Sequence, residues 1–273
     1  MVHAVNKVNL SINLGETLAL VGESGSGKSI TALSLLGLQP PTASVTGQVH
    51  FDGTELVGAD AATLRAMRGN QVGMIFQEPM SSLNPVLTIQ SQLAEPLKIH
   101  MKLSSGAAND RAEELVNMVG IPDARDRLQQ YPHELSGGQR QRIMIAMAMS
   151  CAPRLLIADE ATTALDVTIQ AQILDLMQDV TEQSGTSLLI ITHNLGIVAR
   201  YADRVAVMYA GKLREVSDAS DMYAEPQHPY TVGLLRSVPR LDSDKGAPLT
   251  PIAGEIPDLT DLPDGCAFNP RCP

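Results

Sequence analysis

Cysteine is scarce in this chain, with Cys151, Cys266 and Cys272 the only ones among 273 residues. Thiols so few and so unevenly placed cannot build a disulfide framework, which suits a reducing compartment such as the cytosol. Long apolar runs are also missing. None approaches the roughly eighteen continuous residues that a membrane helix needs, and the N-terminus lacks a charged-then-apolar leader. The sequence thus predicts a chain that neither crosses a membrane nor is secreted. Basic residues are outnumbered by acidic ones, 20 against 30, for a formal net charge of -10. That argues against a surface that holds nucleic acid through phosphate contacts alone, and leaves room only for a local basic patch. What the chain does have is apolar residues, 44%, ample for the core of one generous domain or of one domain with an appendage.

The most informative stretch is Gly22-Glu23-Ser24-Gly25-Ser26-Gly27-Lys28-Ser29, which follows the apolar run Leu18 to Val21 and opens a helical stretch expected over Ile30 to Leu38. This is the spacing of a phosphate-binding loop in its strand-to-helix context. Glycines allow a tight turn whose N–H groups, with the helix N-terminus, point at phosphate oxygens, while the Lys28 ammonium reaches the outer phosphates. The Ser29 hydroxyl is then available to magnesium. By itself the pattern predicts nucleotide binding and nothing more specific.

Alternation from His3 to Leu14 predicts a half-buried strand entering a Gly15-Glu16 turn. A second strand is expected over Gln48 to Phe51, turned by Asp52-Gly53, and Asp60 is expected to cap a short helix to Arg68. Val72 to Phe76 is a buried strand that delivers Gln77 at its C-terminal end, where parallel sheets meet their ligands. From Asn84 to Ser150 the spacing is helical, clearest over Ala108 to Val119, and we read this region as a helical insertion in a nucleotide-binding core. Leu155 to Ala158 is a parallel-type strand tipped by Asp159-Glu160. A long helix follows with the stripe Ile169, Ile173, Leu176, Met177 and Val180, stopped by Gly185. Ser187 to Thr192 is a strand ending at His193, and Arg204 to Tyr209 with Lys212 to Val216 forms a closing hairpin. A short helix over Thr231 to Val238 precedes a tail rich in proline, aspartate and glycine, expected to be weakly ordered.

Two carboxylates at a strand tip in a chain with a phosphate loop suggest magnesium holding by Asp159 and activation of water by Glu160, the alternative being a solvated acid pair. Gln77 and His193, taken singly, read as ordinary strand-end polar residues; only together do they suggest a site. Leu135-Ser136-Gly137-Gly138-Gln139 stands immediately before a helix, so its serine hydroxyl and glycine N–H groups form a second anion-binding end.

At this point the chain resembles the ATP-binding cassette (ABC) family over nearly its whole length. GESGSGKS looks like the Walker A loop, Gln77 the Q-loop, LSGGQ the signature, Leu155 to Asp159 the Walker B strand, Thr163-Ala164-Leu165-Asp166 the D-loop and His193 the switch histidine. The resemblance implies an α/β P-loop NTPase core with a mixed or parallel sheet, an antiparallel β subdomain and a helical insertion (about 84–150) carrying the signature. It implies an ATP-binding domain over 1–239 and the start of a transporter-type tail over 240–273. As cofactors it implies ATP and Mg2+. Nucleotide would be bound by Gly22 to Ser29 together with Ser136 to Gln139 and Asp166, the metal by Ser29, Gln77 and Asp159, and catalysis would fall to Glu160, His193 and Gln77. ATP on one subunit would be closed over by the signature of a second in a head-to-tail homo- or heterodimer, whose opening drives alternating access in transmembrane permease subunits.

Phe76 to Pro85, the His228-Pro229-Tyr230-Thr231 stretch and the tail from Cys266 to Cys272 resemble importer ATPases for di- and oligopeptides, a subfamily that includes nickel and glutathione transporters. That implies work at the cytoplasmic face of a cell membrane, with an external solute-binding protein as an indirect partner and no nucleic acid. The alternative is a soluble ABC ATPase of DNA repair or translation, disfavoured because long heptad insertions, zinc cysteine pairs and a second cassette are not found here. A regulator without turnover is disfavoured by Glu160 and His193. Departures from the family pattern are Ala161 in place of proline after the catalytic glutamate, expected to leave activity intact, and only His3 where an aromatic residue stacks on adenine. The chain is expected to be truncated at both ends. Cys266 and Cys272 are expected to be free thiols, too few for the iron–sulfur cluster that some members hold in this region.

Overall fold

The computed structural model describes residues 2–76, 82–162, 166–238 and 251–273. The described residues contain eight strands: β1 (Thr17–Val21), β2 (His50–Phe51), β3 (Thr54–Glu55), β4 (Val72–Ile75), β5 (Leu155–Asp159), β6 (Ser187–Thr192), β7 (Arg204–Tyr209) and β8 (Lys212–Asp218). They are distributed over two compact units, one made of residues 1–12, 16–44 and 190–273, the other of 13–15 and 45–189. The chain passes from the second unit into the first within β6.

In the first unit the strand order is β6-β1-β7-β8. β1 and β7 are parallel, with Leu18 opposite Arg204 and Val21 opposite Val207. β7 and β8 are antiparallel, turning through Ala210 and Gly211, both at positive φ, as a two-residue hairpin turn requires. Leu18, Ala19, Leu20 and Val21 are all buried, which is why β1 reads as an unbroken apolar run rather than an alternating one. Its core gathers Val21, Val207, Tyr209, Met222, Tyr230 and Phe268. The Pro229–Arg236 helix starts on a proline at its first position, where the missing N–H costs nothing.

Three expectations need correction in this unit. Residues 3–14 do show alternating burial, but they form no strand: Lys7 sits at φ 53, which interrupts any extended run, and the segment is tied by isolated bonds such as Asn6 N–H to the Gly211 carbonyl. The helix after the phosphate loop spans Lys28–Leu35. Gly37 at φ 62 and the Leu38 N–H bond back to Leu33 end it, a left-handed stop that the apolar pattern concealed. The tail is not loose throughout, since Ala267 and Phe268 are buried in this core.

In the second unit the order is β4-β5-β6, with β4 and β5 parallel and Ile75 opposite Ala158. β2 and β3 form the separate antiparallel pair, turned by Asp52 and Gly53 at φ 49 and 79. Asp60 caps the Ala61–Met67 helix by accepting the Thr63 N–H, as expected. The helical region comprises Ile89–His100, Ser105–Met118, Ala124–Gln129 and Gly137–Ala148. The long helix, Val167–Ser184, buries Ile173, Met177 and Val180 from the expected stripe and stops at Gly185, φ 65. Cys151 lies buried just beyond the signature helix, where desolvation pushes its thiol above the usual range.

Candidate functional site

The loop between β1 and the Lys28–Leu35 helix has the form the glycines predict. A Cβ on Gly22 would stand 2.1 Å from the Met208 carbonyl oxygen, and one on Gly27 would stand 2.6 Å from that of Ala4. Both glycines have positive φ, so the backbone passes where no side chain fits. Lys28 is buried, and its Nζ donates to the Gly22 carbonyl at 2.8 Å and the Glu23 carbonyl at 3.0 Å. Its charge is thereby parked on the curl of the loop. Ser26 is buried too, and its hydroxyl has no hydrogen-bond partner among the described residues. A lined backbone cradle, a buried ammonium and an unmatched hydroxyl suit a phosphate. Ser24 and Gly25 are exposed on the rim, and Ser29 is half-buried. His193 belongs to the same unit, exposed directly after β6. The next residue, Asn194, accepts the Gly196 N–H and starts the Leu195–Tyr201 helix.

The second unit holds the strand-tip acids. Because β4 and β5 run parallel with Ile75 opposite Ala158, the C-terminal end of β4 and Asp159 at the tip of β5 lie at the same end of that pair, the end where such sheets meet ligands. Gln77 itself, like Thr163, Ala164 and Leu165, lies outside the described residues. Asp159 is buried and Glu160 is half-buried at φ 47. A left-handed glutamate costs about 1–3 kcal/mol of backbone strain, and such strain gathers at functional positions. No group of three or more His, Cys, Asp or Glu among the described residues could cage a metal. Magnesium needs no such cage, since it takes one or two protein oxygens and completes its shell with water and phosphate.

The signature stretch is built as a helix start. Ser136 caps Gly137–Ala148: its hydroxyl accepts the Gln139 N–H at 3.3 Å, while Gln139 Oε1 accepts the Ser136 N–H at 2.9 Å. This reciprocal box uses the serine as an acceptor and leaves its proton to donate. A Cβ on Gly137 would meet nothing within 4 Å. Asp166 caps the long helix by accepting the Ile169 N–H at 2.9 Å, a structural duty that the sequence pattern had not suggested.

Sequence reasoning missed two further partners of the loop and a third residue that supports one of them. Tyr230 accepts the Glu23 N–H at 2.9 Å, and burial pushes its hydroxyl well above its ordinary range. Arg271 donates to both Glu23 carboxylate oxygens, at 2.9 and 3.1 Å, and that pairing raises its already high pKa. Tyr209 Oη accepts from Arg271 at 3.3 Å. No local pattern marks these contacts; the Glu23 carboxylate could have been questioned only as a charge without an assigned task.

Comparison with known proteins identifies the family. Residues 5–163 match the ABC transporter family model, and residues 215–273 match that of the oligopeptide/dipeptide transporter C-terminal region. The Bacillus subtilis (strain 168) dipeptide transport ATP-binding protein DppD is 54% identical over 274 residues, covering 100% of this chain and 82% of that protein. The Salmonella typhimurium oligopeptide transport ATP-binding protein OppD is 49% identical over 272 residues, covering 100% of this chain and 81% of that protein. Among solved structures, the dimeric ATP-binding cassette MJ0796 in a post-hydrolysis state with ADP and Pi superposes with a TM-score of 0.70 at 29% identity, over 79% of this chain and 90% of that one. The α/β architecture is thus that of a P-loop NTPase cassette, and the chain belongs to the ABC transporter family as one of its ATP-binding ATPases.

Proposed function

We propose that this chain is the ATP-binding subunit of an importer for peptides or related small solutes, working as a head-to-tail dimer at the cytoplasmic face of a membrane beside separate permease subunits. The observation that carries the reading is that one chain holds two unlike anion-binding ends: the cradle of Gly22 to Ser29, and the capped start of the signature helix at Ser136 with an open face at Gly137. Each would be half of a site completed by a second subunit. The names of relatives such as DppD and OppD support peptides as cargo. No helix among the described residues is long and apolar enough to cross a membrane, and in this reading separate permease subunits supply the pore.

In this reading the loop N–H groups bind the nucleotide phosphates, and Lys28 exchanges its two carbonyl partners for phosphate oxygens. By the family pattern Ser29, Asp159 and Gln77 would each be a ligand of magnesium, which would supply neutralisation of phosphate charge. The Glu160 carboxylate accepts a proton from the attacking water, with His193 and Gln77 orienting it. Ser136, Gly137, Gly138 and Gln139 of the second subunit exclude bulk water from the other side, and Asp166 lies at the dimer seam. The test is to purify the chain with its membrane partners and reconstitute them. ATP-dependent peptide uptake that disappears with Glu160→Gln is the expected result. Recovery with ribosomes or DNA instead of membrane subunits would favour the soluble alternative.

A further inference from the structure

Glu23 is gripped at each of its polar groups, and all the partners belong to the first unit. Its N–H donates to Tyr230 Oη, its carbonyl accepts from Lys28 Nζ and from the Ser26 N–H, and its carboxylate receives both prongs of Arg271. Two of these anchors come from the C-terminal part of the chain. Arg271 also donates to the Ala253 carbonyl at 3.0 Å and the Ile252 carbonyl at 3.4 Å. One guanidinium thus ties the tail to the loop. Its side chain is only 4% exposed, so the ion pair cannot be dismissed as a solvent-screened surface contact. The fork of two parallel N–H donors fixes direction as well as distance, which an ammonium could not do. Around it the rings of Tyr209, Tyr230 and Phe268 pack with centroids 4.5 to 5.3 Å apart, which holds the phenol and the guanidinium in place.

We propose that the C-terminal segment is a brace of the phosphate loop: Arg271 and Tyr230 are positioning residues that hold Glu23, and with it the Gly22–Glu23 backbone on which Lys28 rests, in the arrangement that receives nucleotide. The proposal rests on the assignment of Gly22 to Ser29 as the ATP loop. Neither residue touches a reacting atom. Their influence falls on affinity, because a loop free to wander must be ordered again each time nucleotide binds.

The experiment uses the full chain and measures Mg-ATP affinity and KM, with unfolding temperatures taken with and without Mg-ATP. Arg271→Ala is expected to raise the dissociation constant about tenfold, within the usual span of coupling between sites. Arg271→Lys should recover part of the loss, and Tyr230→Phe should weaken binding by a smaller factor. Adding Glu23→Gln to Arg271→Ala should cost little more, since both break one pair. A role confined to fold stability would lower the unfolding temperature and leave affinity and KM unmoved. That outcome, or additive losses in the double variant, overturns the brace. If Arg271→Ala does not fold, unchanged affinity in both Arg271→Lys and Tyr230→Phe overturns it. Lys28→Ala serves as the control for the loop: wild-type binding by that variant overturns the loop assignment and the brace together. Weakened Lys28→Ala beside wild-type Arg271 and Tyr230 variants overturns the brace alone.

Discussion

Gly22 and Gly25 lie in the same loop at positive φ, yet the chain depends on them unequally. A Cβ at Gly22 would meet the Met208 carbonyl at 2.1 Å, whereas at Gly25 it would meet nothing within 4 Å. The Met208 carbonyl is strand backbone in β7, at a fully buried residue paired with Leu213 of β8, so it has little room to retreat. Gly22→Ala should therefore cost about 3–5 kcal/mol and abolish nucleotide binding, while Gly25→Ala should cost only about 1–2 kcal/mol, the usual charge for a left-handed residue with a Cβ. Denaturant unfolding of the two variants decides the matter, and equal losses would show that the close approach at Gly22 is not limiting. Lys28→Ala separates fold from function at the next level. The ammonium is buried against two carbonyls, of which that of Glu23 also accepts the Ser26 N–H, so the stability cost should stay within the roughly 1–3 kcal/mol of one buried acceptor left unmet, while ATP affinity is lost. Equilibrium binding measures the second, and an undiminished affinity would contradict the phosphate role.

At the scale of elements, helix starts carry the predictions. Gly137 faces open space, and the capping box at Ser136 and Gln139 does not use its missing side chain. Gly137→Asp should then leave the fold and the ATP affinity of isolated monomers unchanged but abolish turnover, because a carboxylate would meet phosphate charge across the dimer. Weaker monomer binding would place the signature on the wrong subunit. The Pro229–Arg236 helix gives a pH dependence. His228 caps it through Nδ1, which accepts the Tyr230 N–H at 3.1 Å, and only an unprotonated Nδ1 can accept. Burial, then the nearby Arg214, holds the imidazole below its usual pKa, against a weaker opposing pull from Glu215. With the folded pKa depressed, the unfolded chain binds more protons, so the contribution is complete above about pH 6.5 and fades as pH falls from there through the folded value. Replacing His228 by Asn, which caps without titrating, should flatten that part of the curve in thermal melts between pH 5 and 7. An identical pH profile in both proteins would assign the effect elsewhere.

Over the whole molecule, legibility followed range. β6 is Ser187–Thr192 as its apolar run indicated, and the Asp52-Gly53 turn and Asp60 cap also appear where expected; each depends on neighbours a few residues away. Residues 3–14 misled because alternation reports a half-buried face but not the presence of a hydrogen-bonding neighbour. The tail misled for the opposite reason. Arg271 meets Glu23 across 248 positions, and a proline- and aspartate-rich sequence carries no periodic trace of such an anchor. The tight backbone form of the Gly22 to Ser29 loop was legible from its glycines, but the contacts of Glu23 with Tyr230 and Arg271 were not, since those residues are distant in sequence. The largest-scale feature, assembly, is tested through one atom change. Glu160→Gln preserves size and one acceptor oxygen but cannot take the proton from water, so turnover should fall about 10²- to 10⁴-fold, or roughly 3–5.5 kcal/mol of barrier, with ATP binding retained. If ATP joins two subunits and hydrolysis parts them, the variant should accumulate as a dimer in Mg-ATP and return to monomer when ATP is removed. Light scattering after size exclusion reads this directly. A variant that binds ATP, fails to hydrolyse it and still elutes as a monomer at high protein concentration would contradict the head-to-tail arrangement while leaving the catalytic assignment of Glu160 standing.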